Sequence, residues 1–301
     1  MDLEYVNVAC LNAEKNFGGD ATKRKKWYRK IRQEYGVHLL FRQENWDILN
    51  NNQAIRSESE EYMPGMRSWV GEKSWNAVYV DMSVFRWLGT WPNPHPIMTG
   101  PPCAVTLQLR DAGPESTPIV AVAGHLTYCS VTLRKIESEI ITAFNDKWVE
   151  LPETGEFRHA VMVGGFDPNA YGSGLTLPEL SGIQDRPHRV HRSHLLPDGT
   201  RVMDQYPHDT WAAAGLVDIA AMKARSGQTS AVAPSMRASE THGPDARVDV
   251  IVASRHIADD DLWESVEVID TDGDSDHNMI FARIHRSRLA ERLRDLRITA
   301  A

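Results

Sequence analysis

The chain is short of cysteine, has no apolar run of membrane-spanning length, contains no internal repeat and carries no overall excess of positive charge. Each shortage removes a class of protein. The three cysteines, Cys10, Cys103 and Cys129, lie in or beside apolar runs of a 301-residue chain. So few thiols, so placed, read as reduced core residues and not as a disulfide framework. A bilayer needs about 20 consecutive apolar residues, which are missing. No secretory pattern follows Met1. A cytoplasmic protein with no membrane partner and no obligate protein partner is therefore the simplest expectation. The net charge of −8 means that any nucleic-acid partner must be met by cations gathered locally. No shift in composition marks a second domain, so one domain across 1–301 is expected.

What is present is an alternation of short apolar runs and a few amphipathic stretches. Strands are predicted at 4–11, 37–43, 76–82, 103–110, 117–125, 158–165, 247–253, 263–270 and 278–284. Helices are predicted at 20–35, 130–148 and 286–297. In the first, Trp27, Ile31 and Tyr35 recur at helical spacing and Asp20 can cap the start. In the second, Leu133, Ile136, Ile140 and Phe144 form the apolar stripe. The stretch 170–210, rich in Gly, Pro, His and Arg, reads as an insertion between core elements. Residues 90–102 are Pro-rich and irregular.

Polar residues at strand ends carry the chemistry of many layered α/β proteins. Here they recur in order: Asn12 and Glu14 after the first strand, Gln43-Glu44 after the second, and His125-Leu126 after a middle strand. Asp167-Pro168-Asn169 follows Val163-Gly164-Gly165-Phe166, then come Arg247-Val248-Asp249-Val250-Ile251 and Ser275-Asp276-His277. This series resembles the endonuclease/exonuclease/phosphatase superfamily, the DNase-I-like fold, over about residues 4–285. The family writes Gly-Asp-x-Asn where this chain has Phe166-Asp167-Pro168-Asn169. Phe lacks the backbone freedom of Gly and Pro lacks an amide donor, so altered geometry is expected at Asp167.

The resemblance implies an α/β (α+β) four-layer sandwich of two packed mixed β-sheets flanked by helices. Pattern alone would also permit a doubly wound sheet. It implies a divalent-metal-dependent phosphoester hydrolase using Mg2+ or Mn2+, with Glu44, Glu14 and Asp276 as ligands, since hard cations take oxygen donors. By the same resemblance His277, paired with Asp249, acts on the scissile phosphate, and His125 contacts the phosphate or the leaving group. Asp167 orients or deprotonates the attacking water. Asn12 and Asn169 donate hydrogen bonds to phosphate oxygens.

Two segments concentrate cations: 23–32 (Lys-Arg-Lys-Lys-Trp-Tyr-Arg-Lys-Ile-Arg), and 186–201 with Arg186, Arg189, Arg192 and Arg201. They favour a nuclease acting on nucleic acid, DNA before RNA. The alternatives are a phosphatase or phosphodiesterase on a small-molecule or lipid phosphate, and a catalytically degenerate binding protein on the same scaffold. His188, His191 and His194 have spacing that could suggest zinc, but the interleaved arginines oppose a cation and favour a solvated or phosphate-facing loop. The acidic turn 270–275 lacks the full calcium-loop pattern. Trp27 and Tyr28 read as core residues, while Trp87 and Trp91 are the candidates for base stacking.

Overall fold

The computed structural model describes residues 4–50, 53–172 and 177–296. Residues 173–176 of the expected insertion and residue 297 of the expected last helix lie outside them. Strand β1 (Tyr5–Asn12) leads through a short turn, α1 (Glu14–Gly18), into helix α2 (Ala21–Gln33) and strand β2 (Leu39–Gln43). Helix α3 (Ala54–Tyr62) and strands β3 (Met66–Val70), β4 (Ala77–Asp81), β5 (Phe85–Trp91), β6 (Cys103–Leu109) and β7 (Ile119–His125) follow. Helix α4 (Val131–Thr142) and the ribbon β8 (Trp148–Glu150) and β9 (Phe157–His159) precede β10 (Val161–Asp167). An excursion then holds α5 (Arg186–His191), the hairpin β11 (Ser193–Leu195) and β12 (Arg201–Met203), and α6 (Tyr206–Ala213). Strand β13 (Leu216–Asp218), α7 (Ile219–Arg225), β14 (Val250–Ser254), β15 (Trp263–Ile269), β16 (Met279–His285) and α8 (Arg286–Asp295) complete the fold.

The strands form two six-stranded sheets, β15-β16-β1-β2-β4-β3 and β13-β14-β10-β7-β6-β5. Both repeat one plan. A central parallel pair (β1 with β2, β7 with β10) is joined by a helical crossover, and every other pairing is antiparallel. Alternate residues of each strand point to opposite faces. Val8, Cys10, Phe41 and Val78 thus meet Val105, Ala121, Val163 and Ile251 between the sheets. The outer faces take the helices: Trp27, Tyr28 and Ile31 of α2 cover Leu40 and Tyr79, and Ile141 and Trp211 cover Val122, Met162 and Val250. This is the expected four-layer sandwich. Helix α2 starts where Asp20 predicts, its Oδ1 accepting from the amides of Thr22 at 2.8 Å and Lys23 at 3.2 Å. Gly165 has no tolerable substitute, because a Cβ there would lie 2.5 Å from the Phe41 ring.

Each predicted strand is present with ends within three residues, but several expectations need correction. Helix α4 stops at Thr142 rather than 148, and its buried face is Arg134, Glu137, Ser138 and Ile141. Most of the predicted stripe is only half-buried, because part of this helix packs against polar loops and the excursion instead of a sheet. The insertion is more ordered than expected, with a small core of Tyr171, Ile183, Met203, Met236, Ala246 and Val248. Cys129 is exposed, since it sits in the turn before the Ser130 cap of α4. Trp87 and Trp91 belong to the edge strand β5, where Trp87 stacks on Trp69 and the Trp91 indole donates to Thr106.

Candidate active site at the convergent strand ends

The two parallel pairs end at one rim of the sandwich. Register sets Asn12 beside Gln43 and Asp167 beside His125. Strands β14 and β16 run antiparallel to these pairs and begin at the same rim. Asp249 immediately precedes β14, and Asp276 and His277 lie just before β16. Gln43 ties the sheets together there, its Nε2 donating to the carbonyl of Gly165 at 2.9 Å.

Asp167 is the hub. Its Oδ2 accepts from Asn12 Nδ2 at 2.8 Å and lies 3.5 Å from His125 Nε2 and 3.8 Å from His277 Nε2. Its Oδ1 accepts from the amide of Asn169 at 2.9 Å. Burial alone would push this carboxyl up. The charges of His125, His277 and Arg192 and the Asn169 amide outweigh burial and hold it at about 2. His277 Nδ1 meets Asp249 Oδ2 at 2.8 Å, with both residues buried. Burial would lower the imidazole, but the charge and hydrogen bond of Asp249, with Asp167 and Asp276, push it up to about 10. The Nε2 edge of the ring faces the hub and Asp276 Oδ1, at 3.9 Å.

The other side of the cleft is acidic. Glu44 takes a left-handed backbone (φ 49°), uncommon for glutamate and held by its neighbours. Its Oε2 accepts from the amide of Lys15 at 2.9 Å, its Oε1 from Asn12 Nδ2 at 3.2 Å, and His125 Nδ1 is 4.0 Å away. The Lys15 amide is aimed by a left-handed turn through Lys15, Asn16 and Phe17. Burial raises the Asp276 carboxyl, and Glu14, Glu44 and Asp167 add to the rise against the pull of His277. Glu14 stays on the rim, half exposed and 4.0 Å from Lys15 Nζ.

The residues fit a hard divalent cation. Asn12 Oδ1 and His125 Nδ1 are buried without hydrogen-bond partners among the described residues. Such orphans call for an ion or water. Glu44, Asp276 and Asn12 Oδ1 offer oxygen donors where negative charge is unbalanced. Among the described residues, Asp167, Asp249 and His277 also form a group whose possible ligand atoms lie within 4.8 Å of one another, a buried Asp/Asp/His candidate metal site. His277 Nδ1 and Asp249 Oδ2 are taken up by each other, so the Glu44 and Asp276 side, flanked by Asp167, suits a cation better.

The structure therefore gathers Asn12, Glu44, His125, Asp167, Asn169, Asp249, Asp276 and His277. The amides of Asn12 and Asn169, expected to hold phosphate, are already engaged: Asn12 with Asp167 and Glu44, Asn169 with His125 at 2.8 Å and the Leu126 carbonyl at 2.8 Å. Phe166 leaves Asp167 in regular strand geometry. Its ring turns to the outer face against Trp211 and lies over Gly124 and Gly164, where a Cβ would come within 2.8 and 2.3 Å of it.

Part of the expected cationic track on α2 is paired within the protein, while Lys25 and Arg29 lie over the Tyr62 ring and Lys30 over the Trp27 ring. Lys23 and Lys26 reach Asp274 at 3.6 and 2.7 Å, Arg24 reaches Glu58 at 3.4 Å, and Arg32 reaches Asp81 at 2.7 Å. Sequence reasoning missed a buried polar network behind His125. Arg134 donates to Asp204 at 2.8 Å and to the carbonyls of Thr127 and Tyr128 at 3.0 Å, while Glu137 accepts from the Thr127 amide at 2.7 Å. The spacing of Arg134, Glu137 and Ser138 on one helix face was the available signal.

No family model matches the sequence, and no curated protein matches it. Solved structures do. An endonuclease/exonuclease/phosphatase family protein from Bacteroides thetaiotaomicron superposes with a TM-score of 0.56 at 12% identity, covering 93% of this chain and 94% of that one. TDP2 from D. rerio, complexed with single-strand DNA product, gives 0.58 at 10% identity, covering 93% and 98%. The mannosyl-6-phosphatase Bt3783 of B. thetaiotaomicron gives 0.55 at 13% identity, covering 92% and 98%. At such identities the likeness shows the fold. The chain has the DNase-I-like four-layer architecture of these phosphoesterases, as its strand-end motifs imply.

Proposed function

We propose that this DNase-I-like chain is a divalent-cation-dependent phosphoester hydrolase, and within that class a nuclease that cleaves phosphodiester bonds of nucleic acid, DNA before RNA. The observation that carries the reading is the buried Asp249–His277–Asp167 series facing the acidic pair Glu44 and Asp276 across one cleft. A bound Mg2+ or Mn2+ would neutralise charge on a phosphate oxygen, held by Glu44 and Asp276 with Asn12 Oδ1, and with Glu14 on the rim beside them. Asp167, ionised at working pH, orients the attacking water. His277, charged and steered by Asp249, donates from Nε2 toward a phosphate oxygen. His125 stands near the same oxygens, its orientation set by Asn169.

Support for nucleic acid comes from Trp46, two residues past Glu44. It is 47% exposed and stacks on Trp75 with centroids 5.7 Å apart. An open indole face beside the cleft suits a base, worth about 1–3 kcal/mol per stacked base. One similar structure holds single-strand DNA product. The second reading, a phosphatase on a small phosphate, is favoured by the excursion, whose Arg192 acts on the Asp167 carboxyl. Three free thiols support the proposal of a cytoplasmic setting.

The test is purified protein with Mg2+ or Mn2+ on plasmid DNA, single-stranded DNA, RNA and small phosphoesters, with and without EDTA. Metal-dependent cleavage of DNA is expected. Full activity in chelator, with elemental analysis showing no metal, contradicts the reading.

A further inference from the structure

The two amides expected to grip the phosphate are already engaged, which leaves room for a donor besides His277 and His125. Arg192 stands out in the excursion. It is 3% exposed, its Nη1 is buried without a partner, and its guanidinium makes no hydrogen bond or ion pair with any described residue. The other buried arginines differ. Arg24, Arg32, Arg134 and Arg247 each pair with a carboxylate, and Arg42 donates to the carbonyls of Leu11 and Gln43. An unpaired buried charge is strongly unfavourable, so its retention asks for an anion.

Its placement is built. The Arg192 amide donates to the His188 carbonyl and its carbonyl accepts from the Asp204 amide, both at 2.9 Å. Asp204 is locked to Arg134, which also holds the carbonyl of His191 and those of the loop leaving His125. Arg192 is thus fixed relative to His125. It is close enough to Asp167 to help the two histidines hold that carboxyl down against burial, and it also acts on His242, which feels His277 and Asp167 as well. The Tyr171 hydroxyl is buried and without a partner among the described residues, and it feels the charges of Arg192 and Arg134.

We infer that Arg192 is a phosphate-binding residue of this site: its guanidinium takes non-bridging oxygens of the substrate phosphate opposite Glu44 and Asp276, with the Tyr171 hydroxyl as a second donor. This rests on the phosphoester reading above and adds an anion subsite supplied by the excursion, not by the strand-end motifs. A planar fork suits a phosphate bidentately, which a lysine cannot reproduce.

The experiment compares the full-length wild type with Arg192→Met and Arg192→Lys, using inorganic phosphate and bis(4-nitrophenyl) phosphate as probes. Inorganic phosphate should raise the Tm of the wild type by linkage and leave that of Arg192→Met unmoved. Without phosphate, Arg192→Met should melt no lower than wild type, because it removes an unpaired charge. Its KM for the diester should rise by roughly tenfold or more, while Mn2+ affinity stays within about twofold; the lysine variant should fall between. Equal phosphate response and equal KM in wild type and folded Arg192→Met overturn the assignment. If no variant hydrolyses any ester but phosphate still stabilises only the wild type, the subsite stands and the hydrolase reading falls. A methionine variant that melts far below wild type, with the lysine variant matching wild type in phosphate response and KM, assigns Arg192 to structure and overturns the inference.

Discussion

Helix α2 and the 186–201 stretch look alike as sequence, each a cluster of cations in an acidic chain, yet the fold uses them in opposite ways. In α2 four of the seven cations, Lys23, Arg24, Lys26 and Arg32, are paired internally with carboxylates. Lys23 and Lys26 clamp Asp274, the Trp27 indole donates to the same carboxylate at 3.0 Å, and Lys30 lies over the Trp27 ring. That clamp holds the turn delivering Asp276 and His277. In 186–201, Arg189 caps the Ile183 carbonyl, Arg201 holds Ser193, and Arg192 is buried with its Nη1 unpartnered among the described residues. A count of cations therefore says little about a polyanion partner. What matters is which cations the fold leaves unmatched.

The largest effect should appear at His277. His277→Ala should lower turnover by about 10²-fold or more, the scale for losing a proton-donating group. Asp249→Asn should not add to it, because the two act as a unit. Steady-state kinetics on the folded variants settle this, and near-wild-type turnover would remove His277 from the chemistry.

The next effect separates the frame of the excursion from its anion site. Arg134→Met strands a buried Asp204 and should cost about 3–5 kcal/mol by denaturant titration, whereas Arg192→Met should cost nothing. Equal losses would erase the distinction between a paired and an unpaired arginine.

Smaller again is the effect of breaking the α2 clamp. Lys23→Met with Lys26→Met should cost at most about 1 kcal/mol per pair, as these are partly exposed bridges. Turnover should slacken because the 270–277 turn loosens. The log–log salt slope of DNA binding should stay put, since neither lysine is free to take a phosphate. A slope flattened by about 0.9 per lysine would return α2 to the role its sequence suggests.

A separate effect, outside the cleft, is a pH dependence of stability. Burial, the leading cause, lowers His38 and His208 to about 4, and His38 Nδ1 accepts from the Asn7 amide at 2.9 Å. The unfolded chain takes up these protons below about pH 6.5 while the folded chain refuses them until about 4. Stability should therefore be full above about 6.5 and fall as pH drops toward 4. Thermal melts across that window check it, and His38→Gln should flatten the slope.

The sheets were legible because their strands are apolar runs ending in polar residues, and period-2 burial leaves that trace directly in the chain. The strand-end residues Asn12, Glu44, His125, Asp167, Asp249 and His277 were legible for the same reason. The buried face of α4 was not. Periodicity marks apolar faces, and Arg134 and Glu137 are buried by contacts with loops over 60 and about 10 residues distant in sequence. Arg192 was visible only as one arginine among several, since its lack of a partner is a property of the folded chain. The accommodation of Phe166 likewise depends on Gly124, a residue on another strand.

The central claim is that Glu44 and Asp276 hold a divalent cation beside the Asp167 hub. Calorimetric titration of the metal-free full-length protein with Mn2+ tests it most directly. The account predicts saturable binding in the wild type, weakened at least tenfold in Glu44→Ala and left within about twofold in Arg192→Met. No binding by the wild type, or an unchanged isotherm for Glu44→Ala, would contradict it.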